Sequence, residues 1–300
     1  MMNSTPCICC ARCWASSGNP FFVTEILGDP EGGVPGTVRD AVLGRALGFN
    51  GAARDVLELT SVVPRAIELH LIESVLGPAL EAVEKCVASG LLLADENELR
   101  FRHELARVAV EESIAPPRVK YLHARILAAL TTRTADDASL SRMVHHAQLA
   151  HDSAAVLKFA PEAAREAAAR GSRREAAAHC RVALAEAHGL SDAGRAELLE
   201  EYAGYCFELS DLAAAISARE TSIEIFRRLG NVTRQCESLA AHAMPLVRAL
   251  RNADADRASK QAIRTASPRT RTREGLCHRI LPTHAQPRLR GRRDMGGEGD

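Results

Sequence analysis

The sequence predicts a mainly all-α protein in two parts, and three observations carry that prediction. Apolar residues recur at intervals of three and four through most of the 300 residues, strict alternation appears over one short stretch near Leu99, and small residues repeat at a fixed offset in the second half. The composition is that of a globular chain with a buried core, 46% hydrophobic and 25% charged. Lys+Arg 38 against Asp+Glu 38 leaves a formal net charge of +0, which excludes an overall field drawing the molecule toward nucleic acid or an anionic membrane. No apolar run approaches the roughly 20 residues needed to span a bilayer, and no basic region followed by an apolar stretch opens the chain. A cytoplasmic protein with no membrane partner is expected.

The elements follow in order. After Gly18-Asn19-Pro20, the spacing of Phe21 to Leu27 predicts a short helix, and Gly28-Asp29-Pro30-Glu31-Gly32-Gly33 reads as a loop, which sets a first segment of 1–27. From Val38 to Leu76 the periodicity predicts short amphipathic helices broken near Gly48 and Pro64. A helix from Ala79 to Ser89 ends at Gly90. Next come Leu91-Leu92-Leu93-Ala94, a polar turn at Asp95-Glu96-Asn97, and Leu99 and Phe101 alternating with Arg100 and Arg102, the signature of a small β-hairpin. Helices, one hairpin and a further helix over His103 to Ser113 give the order of a winged helix, closed by Pro116-Pro117, so residues 28–117 form a winged-helix-like domain.

Beyond Arg118 the pattern is helical, with short polar breaks, among them Thr131 to Ala138, His151-Asp152, Gly171-Ser172, Gly189 to Gly194, Ser210-Asp211, Gly230-Asn231 and Asn252 to Asp254. The pairs Ala176-Ala177, Ala215-Ile216 and Ala255-Asp256 begin equivalent helical stretches spaced 39 and 40 residues apart. Twelve residues before each lies another small residue: Ala164, Ala203 and Ala243. Small residues facing each other let two antiparallel helices approach closely, the packing of a tetratricopeptide (TPR) pair. Residues 118–263 therefore read as a TPR-like α-solenoid, although the unit exceeds the usual length of about 34 residues and Arg219 and Ser259 stand where a large aromatic is usual. Glu200 is placed on an exposed face. Plain helical hairpins are the alternative.

The ends differ in character. Cys7, Cys9, Cys10 and Cys13 crowd the start; they are candidate zinc thiolates, but no second ligand pair follows, so no metal site is expected and the N-terminus is read as one that does not begin at a domain edge. The other five cysteines are scattered singly and are expected to be reduced. The segment 264–300 is basic: from Arg257 to Arg293 eleven basic residues face one acid, Glu274. It reads either as a nucleic-acid-binding arm or, as we prefer, as a disordered tail, because neither helical periodicity nor aromatic interleaving survives there.

Three runs in order, Gly18-Asn19-Pro20-Phe21-Phe22-Val23-Thr24-Glu25, Val34-Pro35-Gly36-Thr37-Val38-Arg39-Asp40-Ala41-Val42 and Phe101-Arg102-His103-Glu104-Leu105-Ala106-Arg107, resemble the stretch after the nucleotide-binding core of large ATP-binding LuxR-family transcriptional regulators, which are STAND (AAA-type) signalling ATPases similar to the maltose regulator. The resemblance runs from about Gly18 to Ile263. It implies that Gly18-Asn19-Pro20 opens the lid of a nucleotide site with Pro20 against the adenine, where a rigid ring loses no ordering entropy. The reading from the residues alone is that this run merely starts a helix. It likewise implies that His103 reaches a nucleotide phosphate, with Glu104 standing where the family usually has aspartate. ATP or ADP and magnesium are thus cofactors of the intact family, with none expected for this chain by itself.

The residues that hydrolysis requires are missing. A phosphate-binding loop needs a Gly-Lys pair after a glycine-rich turn, because backbone amides cradle the phosphates and lysine neutralises them. The four lysines, Lys85, Lys120, Lys158 and Lys260, follow Glu84, Val119, Leu157 and Ser259. For a hydrolase the tempting groups are His145-His146, His151 and His179 with Asp152 or Glu175, but no serine or cysteine lies in a Gly-x-Ser-x-Gly setting. No catalytic residue is therefore assigned. The chain reads as the regulatory, protein-interacting middle of such a regulator, without its ATPase loop or its DNA-binding helix-turn-helix. It would bind a protein partner or small inducer on the concave face of its repeats, and reach DNA only through the missing output domain. The alternative is a stand-alone TPR adaptor with no nucleotide link.

Overall fold

The computed structural model describes residues 36–46, 48–132 and 139–266. The segment 1–27 with Pro20, the cysteine run and the basic tail past 266 lie outside them. The chain divides into two compact units, 1–163 and 164–300. The expected boundary at 117/118 falls in the first turn of a helix that begins at Pro116.

In the first unit, α1 (Gly36–Ala46) and α2 (Gly51–Ser61) lead into a strand, β1 (Ile67–Glu68), then α3 (Leu69–Leu76), α4 (Leu80–Ala88), β2 (Leu92–Ala94), β3 (Glu98–Phe101) and α5 (Glu104–Ser113). The sheet order is β1-β3-β2, antiparallel throughout, with Ile67 opposite Leu99 and Leu92 opposite Phe101. The predicted hairpin is in place. The strand β1 is an addition, because two residues are too short to show a period of two. Alternation along β3 buries Leu99 and Phe101 and exposes Glu98 and Arg100, and Ile67 of β1 and Leu92 of β2 are buried with them, as are Leu57, Leu59 and Ile72 of the helices. The Cys86 thiol in that core donates to the Ala53 carbonyl at 3.2 Å, tying α4 to α2, and burial pushes its pKa up to about 11. Helices α6 (Pro116–Thr131) and α7 (Leu140–Leu149) follow, and the unit ends within the next helix, at residue 163. Proline opens α6 at a position where its missing N–H costs nothing.

The repeats occupy α8 (Ser153–Ala169), α9 (Arg173–Ala185), α10 (Asp192–Glu208), α11 (Leu212–Arg228), α12 (Val232–Arg248) and α13 (Asn252–Thr265). The first helix of each pair has 17 residues, and their starts are 39 and 40 apart. Ala164, Ala176, Ala203 and Ala215 have exposures of 0 to 1%, while Ala243 packs against the cluster of Leu246, Ala255 and Ala258. Ala203 shares a cluster with Ala196, Leu199, Ala218, Ile225 and Phe226. Cys180, Cys206 and Cys236 are buried free thiols.

The turns explain the regular spacing. His151, Gly171, Ser210, Gly230 and Leu250 all have positive φ, and each donates its N–H three residues back while the next N–H reaches five back, as in Asp211 to Cys206 at 2.9 Å and Arg251 to Leu246 at 2.8 Å. That is the Schellman arrangement, which satisfies the last helical carbonyls. The following residue then caps the next helix, through Asp152, Asp211 and Asn231 side chains accepting from Ala155, Ala214 and Arg234. Each of these five reversals therefore takes three residues, whereas six, 186–191, separate α9 from α10. The last break lies at Leu250-Arg251 and not at Asn252 to Asp254: asparagine starts α13, and an apolar residue holds the left-handed position.

Two substitutions test this packing by urea denaturation. Leu250 is 86% exposed and left-handed, so Leu250→Gly removes a strain of about 1 to 2 kcal/mol against the backbone freedom that glycine loses, and should stabilise the protein by about 0.5 to 1 kcal/mol. Ala203→Leu should cost about 1 to 3 kcal/mol through overpacking, with the exposed Glu197→Ala within about 0.5 kcal/mol as control. Equal effects at 203 and 197 would refute the helix crossing.

Candidate functional site

The run Phe101 to Arg107 joins the wing to the closing helix. Phe101 ends β3 buried, the Arg102 side chain donates to the Gly90 carbonyl at 3.1 Å, and Leu105 and Ala106 turn into the core. His103 is the cap residue of α5, extended at φ −134 and ψ 132, and its carbonyl accepts from Ala106 and Arg107. The ring is half-buried. Burial and the neighbouring Arg102 charge hold its pKa below the usual value, so it is a neutral imidazole at pH 7. Of the two positions that the resemblance implies, Pro20 lies outside the described residues, and only His103 is placed.

Glu104 acquires a definite role. Its carboxylate accepts from Arg107 Nε at 2.7 Å, and Arg107 also donates to Glu111 and to the Ser61 carbonyl at the end of α2. The guanidinium is only 12% exposed, and its two acids keep it charged despite burial. Arg107 therefore fastens α5 to α2. A parallel arrangement binds Arg118 at the start of α6 to Asp55 and Glu58 of α2.

Beside this seam is a group of three histidines. His123 of α6 and His146 of α7 are both fully buried, with their Nδ1 atoms 2.8 Å apart, and His145 lies edge-on to both rings. His145 feels Glu111 and Arg107. The sequence reading singled out His145-His146 but missed His123, which is 23 residues away and carries no local signal. His179 interacts with Glu175 at 3.7 Å. Among the described residues, no group of three or more His, Cys, Asp or Glu side chains is arranged to hold a metal ion.

In the second unit Glu200 corrects the expectation of an exposed acid. Its side chain is 12% exposed and binds Arg219 at 3.3 Å and Arg234 at 2.6 Å, joining α10, α11 and α12. Arg219 stands at the position where a repeat usually carries an aromatic; it is 14% exposed, and the acid and Arg234 take the place of that ring. Arg234 also lies over the Phe226 ring at 5.4 Å. Ser222 and Ser238 share a buried hydrogen bond between α11 and α12. On the first helices of successive pairs, Arg248 lies over Phe207 at 5.0 Å, and Met244 and Val247, on the same face of α12 by their spacing, are exposed.

Removing Glu200 leaves two guanidinium groups facing each other in a largely dry setting. Glu200→Ala should therefore cost about 2 to 4 kcal/mol, below the roughly 3 to 5 kcal/mol of a fully buried pair because Arg234 is 37% exposed. A change under about 0.5 kcal/mol in urea denaturation would show that the triad is a solvated surface cluster.

No protein-family model matches the chain, and no curated protein matches it as a relative. One solved structure to which it is similar is that of a signal-transduction ATPase with numerous domains (STAND) protein with a tetratricopeptide repeat sensor, from Pyrococcus horikoshii, at 14% identity and a TM-score of 0.36. The match covers 85% of this chain and 50% of that one, so this chain spans about half the length of that protein.

Proposed function

We propose that this chain is a regulatory, protein-interacting segment of a STAND-type LuxR-family transcriptional regulator, with no ATP hydrolysis of its own. The observation that carries the reading is one juxtaposition: the Phe101 to Arg107 run, with His103 at the cap of α5, closes a winged-helix-like unit, and equal helical pairs follow in the same chain. The repeats supply binding surface, and the strip of Phe207, Met244, Val247 and Arg248 is apolar with one cation, suited to a protein segment or small inducer.

The residues present do not make up a phosphate site. The chain contains no Gly-Lys pair, and of the two cations in the motif Arg107 is already taken up by Glu104, Glu111 and Ser61, while Arg102 beside His103 donates to the Gly90 carbonyl. His103 supplies one neutral imidazole, which completes a nucleotide site only together with a cradle from elsewhere. DNA contact is equally assigned to another domain. On the winged-helix-like unit, α4 exposes Glu81, Glu84 and Lys85, and the hairpin exposes Asp95, Glu96 and Glu98 beside Arg100 and Arg102. That net acidic balance disfavours a phosphate backbone.

Titration of ATP with magnesium into the full chain by calorimetry should give no saturable heat, and a phosphate-release assay no turnover. Micromolar affinity would overturn the reading.

A further inference from the structure

The fully buried histidine pair between α6 and α7 has no part in the reading above. His123 Nδ1 and His146 Nδ1 meet at 2.8 Å, and the Nε2 atom of each is buried without a hydrogen-bond partner. A contact of that length between two imidazoles requires exactly one proton between them. One ring is therefore the Nδ1–H tautomer, with a bare Nε2, and the other accepts at Nδ1 and carries its hydrogen on Nε2.

Such a pair has nowhere to put a charge. The first added proton goes to the bare Nε2, creating an imidazolium in a dry core with no partner for its N–H. A second goes to the accepting Nδ1, which sets two N–H groups head to head and breaks the bond. The surroundings offer no compensating anion. On α7, Arg142 and His145 add positive charge or none; Glu68 of β1 is engaged by Arg142 at 2.5 and 2.7 Å; and Glu111 of α5 is engaged by Arg107. The titratable side chains of α3, which also packs on α6, are His70 and Glu73, and both are exposed. Burial accordingly holds both histidines well below their ordinary pKa, with the positive neighbours adding to it.

We propose that His123 and His146 form a proton-operated latch, which closes α7 on α6 while the pair is neutral and releases it when the rings take up protons in mildly acidic solution. The sign follows from linkage. The opened state binds protons below about pH 6.5 and the closed state does not, so closure is at full strength above about pH 7.5 and weakens as the pH falls through 6.5. Two such groups shift the equilibrium toward opening on the order of 100-fold between pH 7.5 and 5.5. The Arg142–Glu68 pair, whose carboxyl is held below the usual range by the guanidinium, stays ionised over that interval, so the histidines alone respond.

Hydrogen–deuterium exchange on the full chain, corrected for intrinsic pH dependence, tests the latch. Amides of α7 should lose protection on the order of 100-fold from pH 7.5 to 5.5, while those of α10, which carries no histidine, serve as internal reference. The double variant His123→Phe/His146→Leu, which removes both polar partners together, should hold its α7 protection within a few-fold over the same range. Equal losses in both proteins, or none in the parent, would overturn the proposal. Should the double variant not fold, ring-proton NMR of the parent decides: titration of either buried ring near pH 6.5 with α7 still protected refutes the latch. Zinc chloride at pH 7.5 is the last arm, and a gain in α7 protection would identify a metal site in place of a proton switch.

Discussion

Reversing a helix in three residues is the constraint on which most of the repeat array rests. The last carbonyls of one helix and the first amides of the next must be satisfied within the same few atoms, and the Schellman bonds with the Asp152, Asp211 and Asn231 caps do so at once. With no slack in the connection, the second helix of a pair has to return across the first at close range. Only alanine-sized residues at the crossing allow that, which is why Ala164, Ala176, Ala203 and Ala215 are almost fully buried. Turn geometry and crossing chemistry are thus one requirement read at two places.

The first unit is joined differently. Arginines act there as long-range ties, among them Arg107 to the end of α2, Arg118 to Asp55 and Glu58, and Arg142 to Glu68 of β1. Each reaches across at least 46 residues of sequence. Arg142 also relieves a conflict in the sheet, since Glu68 and Glu98 stand directly opposite each other in the β1–β3 ladder.

How much was legible in the sequence depended on the range over which each signal acts. The hairpin around Asp95-Glu96-Asn97 and the 39- and 40-residue spacing are local or periodic, and both are present in the structure. The strand at Ile67–Glu68 was invisible because it is defined by its partner, Leu99 and Glu98, and not by its own pattern. Leu250 gave no sign of a left-handed turn, since nothing in a leucine favours that conformation. Glu200 read as a surface acid because its two guanidinium partners lie 19 and 34 residues further on. The His123–His146 contact was beyond reach for the same reason. Of the site residues themselves, His103 could be located at a helix cap, and the fit of Glu104 to Arg107 emerged only from the coordinates.

The Arg219–Glu200–Arg234 triad bears on how this array can change over evolutionary time. Restoring a ring at 219 by itself would strand the acid in a dry pocket, and losing the acid by itself would strand two cations, so each single step passes through a poorly folded intermediate. The three positions are therefore inherited as a block. Homologous repeats should divide into lineages that keep arginine, glutamate and arginine together and lineages that keep an aromatic with small or apolar neighbours, and mixed forms should be scarce.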